Sequence, residues 1–168
     1  LNEAWLAAKR MLGRKVELTY DATERAELLR RMGSVLEELI GDSAKAVEAY
    51  AKAAGEDPQD PVALEALDRL YATANEHSKL AEVLERRANV ETDDSLRIEI
   101  WLRLAQLAET QLASPERAIE ALTQVTGIDP RNTEAIGSLV RLYERKAQWS
   151  DLLDVLRTQA EMVGPAEK

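Results

Sequence analysis

An all-α fold built from stacked repeats is what this sequence predicts, and three observations carry it. Residues 25–96 and 97–168 are one 72-residue unit written twice, aligned without a gap. Arg25, Ala46, Gly55, Asp57, Pro58, Leu67, Arg69, Tyr71, Val83 and Leu84 return as Arg97, Ala118, Gly127, Asp129, Pro130, Leu139, Arg141, Tyr143, Val155 and Leu156. A fixed long period marks a chain in which each unit buries its apolar face on its neighbours. The composition is rich in Ala, Leu, Glu and Arg, has no Phe and has few Gly or Pro, a bias that favours helix. Apolar residues recur at helical spacing, and no alternating apolar run bounded by turn residues suggests a strand.

Taken in order, residues 5–18 read as a leading helix, the second half of a hairpin. The first hairpin follows at about 22–40 and 43–55, with Leu28, Leu29, Met32, Val35, Leu36, Leu39 and Ile40 on one stripe. Gly55 stands where a helix C-terminus favours a left-handed residue, and Pro58 follows as a stop. The second hairpin spans about 60–74 and 78–90. Leu64, Leu67, Leu70 and Tyr71 form one inner face, and Leu80, Val83 and Leu84 the other. The third covers about 94–112 and 115–127, where Ser114 is placed to cap and Pro115 to occupy the first turn. The fourth covers about 132–146 and 150–163. The organisation expected is one repeat domain over 1–168, divided at 1–20, 21–58, 59–93, 94–130 and 131–168. It opens at Leu1 inside a helix, as a segment of a longer array would.

At 168 residues, 45% hydrophobic and 32% charged, the chain is long and apolar enough to bury a core. It has no cysteine, hence no disulfide framework, thiolate metal site or Cys nucleophile, which suits a reducing compartment and favours the cytoplasm. No apolar run reaches the ~20 residues of a membrane helix, so no membrane partner is expected. The net charge of −9 repels phosphate backbones, so no nucleic-acid partner is expected.

The hairpins resemble tetratricopeptide repeats. The third supplies Trp101, Leu104, Ala105, Ala108, Ala118, Leu122, Val125 and Pro130 at the family's large, small and Pro positions; the first supplies Leu29, Met32, Gly33, Leu36, Ala46, Tyr50, Ala53 and Pro58. Each has one extra residue in its turn. Small residues at Gly33/Ala105 and Ala46/Ala118 let two helices approach closely. The second and fourth hairpins depart from the pattern, with Asp68/Val140 and Leu80/Leu152 where small residues belong. The resemblance implies a right-handed α-solenoid of about four helix hairpins plus the leading helix.

It also implies that the first helix of each hairpin lines a ligand groove. Carried over by register, that groove includes Glu27, Arg30, Ser34, Glu37 and Glu38, then Glu65, Arg69 and Thr73, then Glu99, Gln106, Glu109 and Thr110, and finally Glu134, Arg141, Glu144 and Arg145. The alternative for any one of these is a solvated helix face laced with i,i+4 pairs such as Glu65–Arg69. Arg69 and Arg141 hold equivalent positions. Their planar forks suit a peptide's carboxylates and carbonyls, or a structural pair carried through the duplication. The family subtype that captures a C-terminal carboxylate uses Lys and Asn, where this chain has Arg30, Ser34, Glu37 and Glu38; that ligand is rejected.

His77, the only histidine, lacks the partners a metal needs and reads as a packing residue in register with Trp5 and Trp149. The two tryptophans offer the alternative of exposed binding anchors; Trp101 reads as core. No phosphate loop, G-x-S-x-G, HExxH or EF-hand ladder is present, so neither a catalytic site nor a cofactor is expected. The function expected is a non-catalytic scaffold that binds a protein or peptide in the groove. The competing readings are a regulatory or spacer segment of a larger enzyme and a helical-repeat RNA-binding module. Apolar faces left at the ends would drive end-to-end self-association.

Overall fold

The computed structural model describes residues 2–163. They form helices α1 (Asn2–Leu18), α2 (Ala22–Ser34), α3 (Ser43–Glu56), α4 (Pro61–Ala74), α5 (His77–Val90), α6 (Asp94–Thr110), α7 (Pro115–Ile128), α8 (Thr133–Arg145) and α9 (Trp149–Val163). There is no strand among the described residues. α2 runs straight into a π-helical turn at Val35–Ile40, which the sequence reading treated as ordinary helix. The turn accommodates the extra residue of this hairpin: the N–H of Gly41 bonds to the carbonyl of Leu36, five residues back.

Most helix starts are set by a side chain that accepts an otherwise unpaired backbone N–H. Asp21, Asp42, Asp60, Asp93 and Asn132 all do this, at 2.8–3.2 Å. Ser114 does not: its side chain makes no capping bond, and Pro115 in the first turn sets the start of α7 instead. The left-handed turn residues are also not where the sequence reading put them. Gly55 lies inside α3, while positive φ occurs at Gly41, Asn75, Ala113 and Ala147, the turn of each of the four hairpins. These are two equivalent pairs, 72 residues apart. At Asn75 and Ala147 the chain closes a Schellman motif, with bonds from Glu76 N–H to Tyr71 O and from Gln148 N–H to Tyr143 O.

The helices group into two compact units, Leu1–Val90 and Glu91–Lys168, which are described separately. In the first, α2 packs on α3, α3 on α4 and α4 on α5, with α1 against α2 and the π turn. Leu29, Leu36, Ala46, Tyr50, Ala53, Leu64, Leu67, Leu70 and Val83 form its core. Gly33 is there for space: a Cβ on it would lie 2.8 Å from the buried ring of Tyr50. Two buried carboxylates are tied down. Asp60, 4% exposed, caps α4 and contacts Arg30; Asp68, 3% exposed, pairs with Arg87 of α5. Arg86 donates to the carbonyls of Ala54 and Pro58 at 2.7 and 3.2 Å, fastening α5 to the α3–α4 corner.

In the second unit α6 packs on α7, α7 on α8 and α8 on α9. Trp101, Leu104, Ala105, Ala108, Ala118, Leu122, Val125, Ile136, Leu139 and Leu142 are buried. Trp101 is core, as its spacing predicts. Trp149 is 61% exposed, and Leu153 and Leu156 share its open side of α9; Trp5 and His77 are half-buried.

Candidate grooves on the first helices of the hairpins

Each unit carries an open groove built from the first helices of its two hairpins. In the first unit it holds about 740 Å³. Its walls are α2 with the π turn on one side and α4 on the other, and α1 contributes Leu12. Tyr50, Val35, Val62 and Ala66 give it an apolar lining, and Glu27, Arg30, Arg31, Ser34, Glu38, Glu65 and Arg69 a polar one. Of the eight positions named for this unit from the sequence, Glu27, Arg30, Ser34, Glu38, Glu65 and Arg69 therefore come together, whereas Glu37 and Thr73 do not line the groove.

The second unit has a groove of about 380 Å³ between α6 and α8. Gln106, Glu134 and Arg141 line it with Glu109, Thr110, Ser138, Leu102, Ala105 and Leu122. Arg145 stands beside it through an ion pair with Glu109, whereas Glu99 is exposed on α6 and does not line it. The apolar residues were missed because the register argument took only polar positions. Val62 is 51% exposed in the first turn of α4, which only the structure shows.

Arg69 does not pair with Glu65 one turn earlier. It reaches across to Glu37, with Nη1 and Nη2 donating to the two carboxylate oxygens, the second at 3.1 Å. Arg141 makes the same cross-helix contact with Glu109 at 2.9 Å, joined there by Arg145 at 3.3 Å. The arginine fork thus links the first helices of consecutive hairpins in both units. Glu37 holds the Arg69 guanidinium above its usual range through that hydrogen bond. Burial pushes the Tyr50 phenol up, reinforced by the Glu37 and Glu38 carboxylates and opposed by Arg69. Arg30 Nε lies 2.9 Å from Asp60 Oδ2 in an ion contact without hydrogen-bond alignment. Arg31 pairs with Glu27 at 2.6 Å.

Among the described residues no cluster of three or more His, Cys, Asp or Glu is arranged to hold a metal. No helix among them is long and apolar enough to cross a membrane.

Hairpins with a small residue at the close crossing and an open groove on their first helices define a helical-repeat array. Residues 98–132 match the tetratricopeptide repeat model. Over 90 residues, 54% of the chain, the sequence is 31% identical to Protein HemY of Escherichia coli K12 and of Shigella flexneri. The chain spans about a fifth of the length of these curated relatives, 20% in each case. Among solved structures, a tetratricopeptide repeat protein from Parabacteroides merdae matches with a TM-score of 0.52 at 15% identity, over 97% of this chain and 62% of that one. MamA matches at 0.50 and 18% identity, over 95% and 83%. The chain thus carries a match to the tetratricopeptide repeat over residues 98–132, and its fold is that of a helical-repeat array whose sequence is organised as a 72-residue double unit.

Proposed function

We propose that the chain is a non-catalytic scaffold whose first-unit groove takes a peptide or helix from a partner protein. The observation that carries this reading is the 740 Å³ groove itself, where an apolar lining and a rim of fixed charges meet on the first helices of two successive hairpins. Such a surface offers area for a side-chain anchor together with polar groups that set orientation. Its openness suits a segment that lies along it.

The reading is tested by affinity capture from the source lysate, comparing the wild-type chain with Val62→Glu. Glu134 stands at the equivalent place in the second unit, and a carboxylate in the first turn of a helix is favourable, so this variant is expected to keep its fold. A protein held by the wild type and released by the folded variant supports a groove-binding scaffold. Capture that is indifferent to the substitution argues for another surface or for a spacer role.

A further inference from the structure

We propose that the groove of the first unit selects a basic amphipathic segment, one that presents an apolar residue flanked by Lys or Arg. The proposal rests on the groove-binding reading above and specifies the occupant. Its basis is which charges around the groove are already satisfied. Arg30 is matched by Asp60, Arg31 by Glu27 and Arg69 by Glu37. Each guanidinium has a carboxylate, so none is left to attract an acidic ligand. Two carboxylates on the same lining form no ion pair among the described residues; Glu38 feels Arg69 only at longer range, that guanidinium being committed to Glu37. Glu38 accepts only the Ser34 hydroxyl, at 3.1 Å, and Glu65 has no hydrogen bond or ion pair among the described residues.

The second copy of the repeat separates scaffold from site. Positions 37 and 69 are Glu and Arg again, as Glu109 and Arg141, and make the same contact. Positions 38 and 65 become Thr110 and Gly137. The hairpins therefore form without the two surplus carboxylates, which are peculiar to the groove with the larger volume. In the second groove Glu109 already faces two arginines, and Glu134 balances the count. Only the first groove combines a surplus of negative charge with an apolar lining at Val35, Tyr50, Val62 and Ala66. A cationic side chain placed at its rim gains attraction and guidance on approach, while an acidic one meets uncompensated like charge.

The test uses the intact chain and two fluorescein-labelled 14-residue peptides. Both share one Leu/Ala face and differ only in carrying Lys or Glu at four flanking positions. Anisotropy titrations should show the Lys peptide binding at least about tenfold more tightly than the Glu peptide. The Glu38→Gln/Glu65→Gln variant should weaken the Lys peptide by about three- to tenfold, as expected for two exposed ion pairs. Glu134→Gln in the second unit should leave it unchanged. Methyl resonances of Val35 and Val62, followed in parallel, locate the binding. Equal affinity for both peptides with shifts at these methyls would leave the groove reading intact and overturn the charge selection. No shift with either peptide would overturn the groove reading and this inference with it. An equal loss from Glu134→Gln would trace the preference to overall charge and sink the proposal. The wild-type comparison needs no variant, so a misfolded mutant does not remove the test.

Discussion

Gly33 and Tyr50 behave as one unit, and the duplication says what the alternative is. In the second copy the same two places hold Ala105 and Leu122, both buried. A methyl at position 33 would press on the buried Tyr50 ring, so Gly33→Ala should cost about 1–3 kcal/mol in chemical denaturation. Adding Tyr50→Leu should restore most of that, because it copies the packing of the second unit. Ala147 poses a different problem, since it is an alanine at φ 54° where the first unit has Asn75. Ala147→Gly should raise stability by about 0.5–1 kcal/mol by removing the left-handed penalty, seen as a rise of roughly 2–4 °C in Tm. No change in Tm would mean that alanine carries no left-handed penalty at this turn.

At the scale of the element, the first and third hairpins each depend on one close crossing. Ala118 is fully buried where α7 packs on α6, and Ala46 holds the same place in α3. Ala118→Leu should lower stability by about 1–3 kcal/mol, and an unchanged melting midpoint would put the helix register in error. Most of this level was legible in the sequence. The periodic apolar stripes and the 72-residue echo located nine helices with bounds shifted by only a few residues. The π turn at Val35–Ile40 was not legible, because its residues are ordinary helix formers and an added residue leaves no mark on composition. The left-handed turns at Ala113 and Ala147 were hidden for a related reason: alanine there contradicts local preference, and backbone bonds from Ser114 N–H to Ala108 O and from Gln148 N–H to Tyr143 O close the turns. The polar groove positions followed from register. Their pairing did not, since a local Glu65–Arg69 bond and a cross-hairpin Glu37–Arg69 bond are both compatible with the pattern. Only packing α2 beside α4 brings Glu37 within reach.

At the scale of the molecule, the two copies have kept some interactions and exchanged others as sets. The Glu37–Arg69 contact persists as Glu109–Arg141. By contrast, Arg30 and Asp60 become Leu102 and Asn132, and Asp68 and Arg87 become Val140 and Gln159. Both members change together, as expected where removing one partner would strand a buried charge. Other ion pairs should make the fold sensitive to acid. Lys45 holds Asp42, Arg25 holds Glu56 and Lys146 holds Glu116 below the usual carboxylate range, each through a side-chain hydrogen bond. A carboxylate with a lowered folded pKa stabilises the fold fully above its ordinary value and loses that contribution as pH falls through the lowered one. Melting temperature should therefore be level near neutrality and decline below pH 4.5, the ordinary value for Glu56 and Glu116. Glu56→Gln should flatten that decline. A fall beginning near pH 6 would point to another group.

The central claim, that partners lie along the first-unit groove, is tested most directly by photo-crosslinking in the source lysate. Benzoylphenylalanine would be placed at position 62 on the groove lining or at position 52 on the exposed side of α3. A light-dependent adduct to a protein is expected from position 62 and none from position 52. Adducts from position 52 alone would contradict it and move the binding face to the second helices of the hairpins.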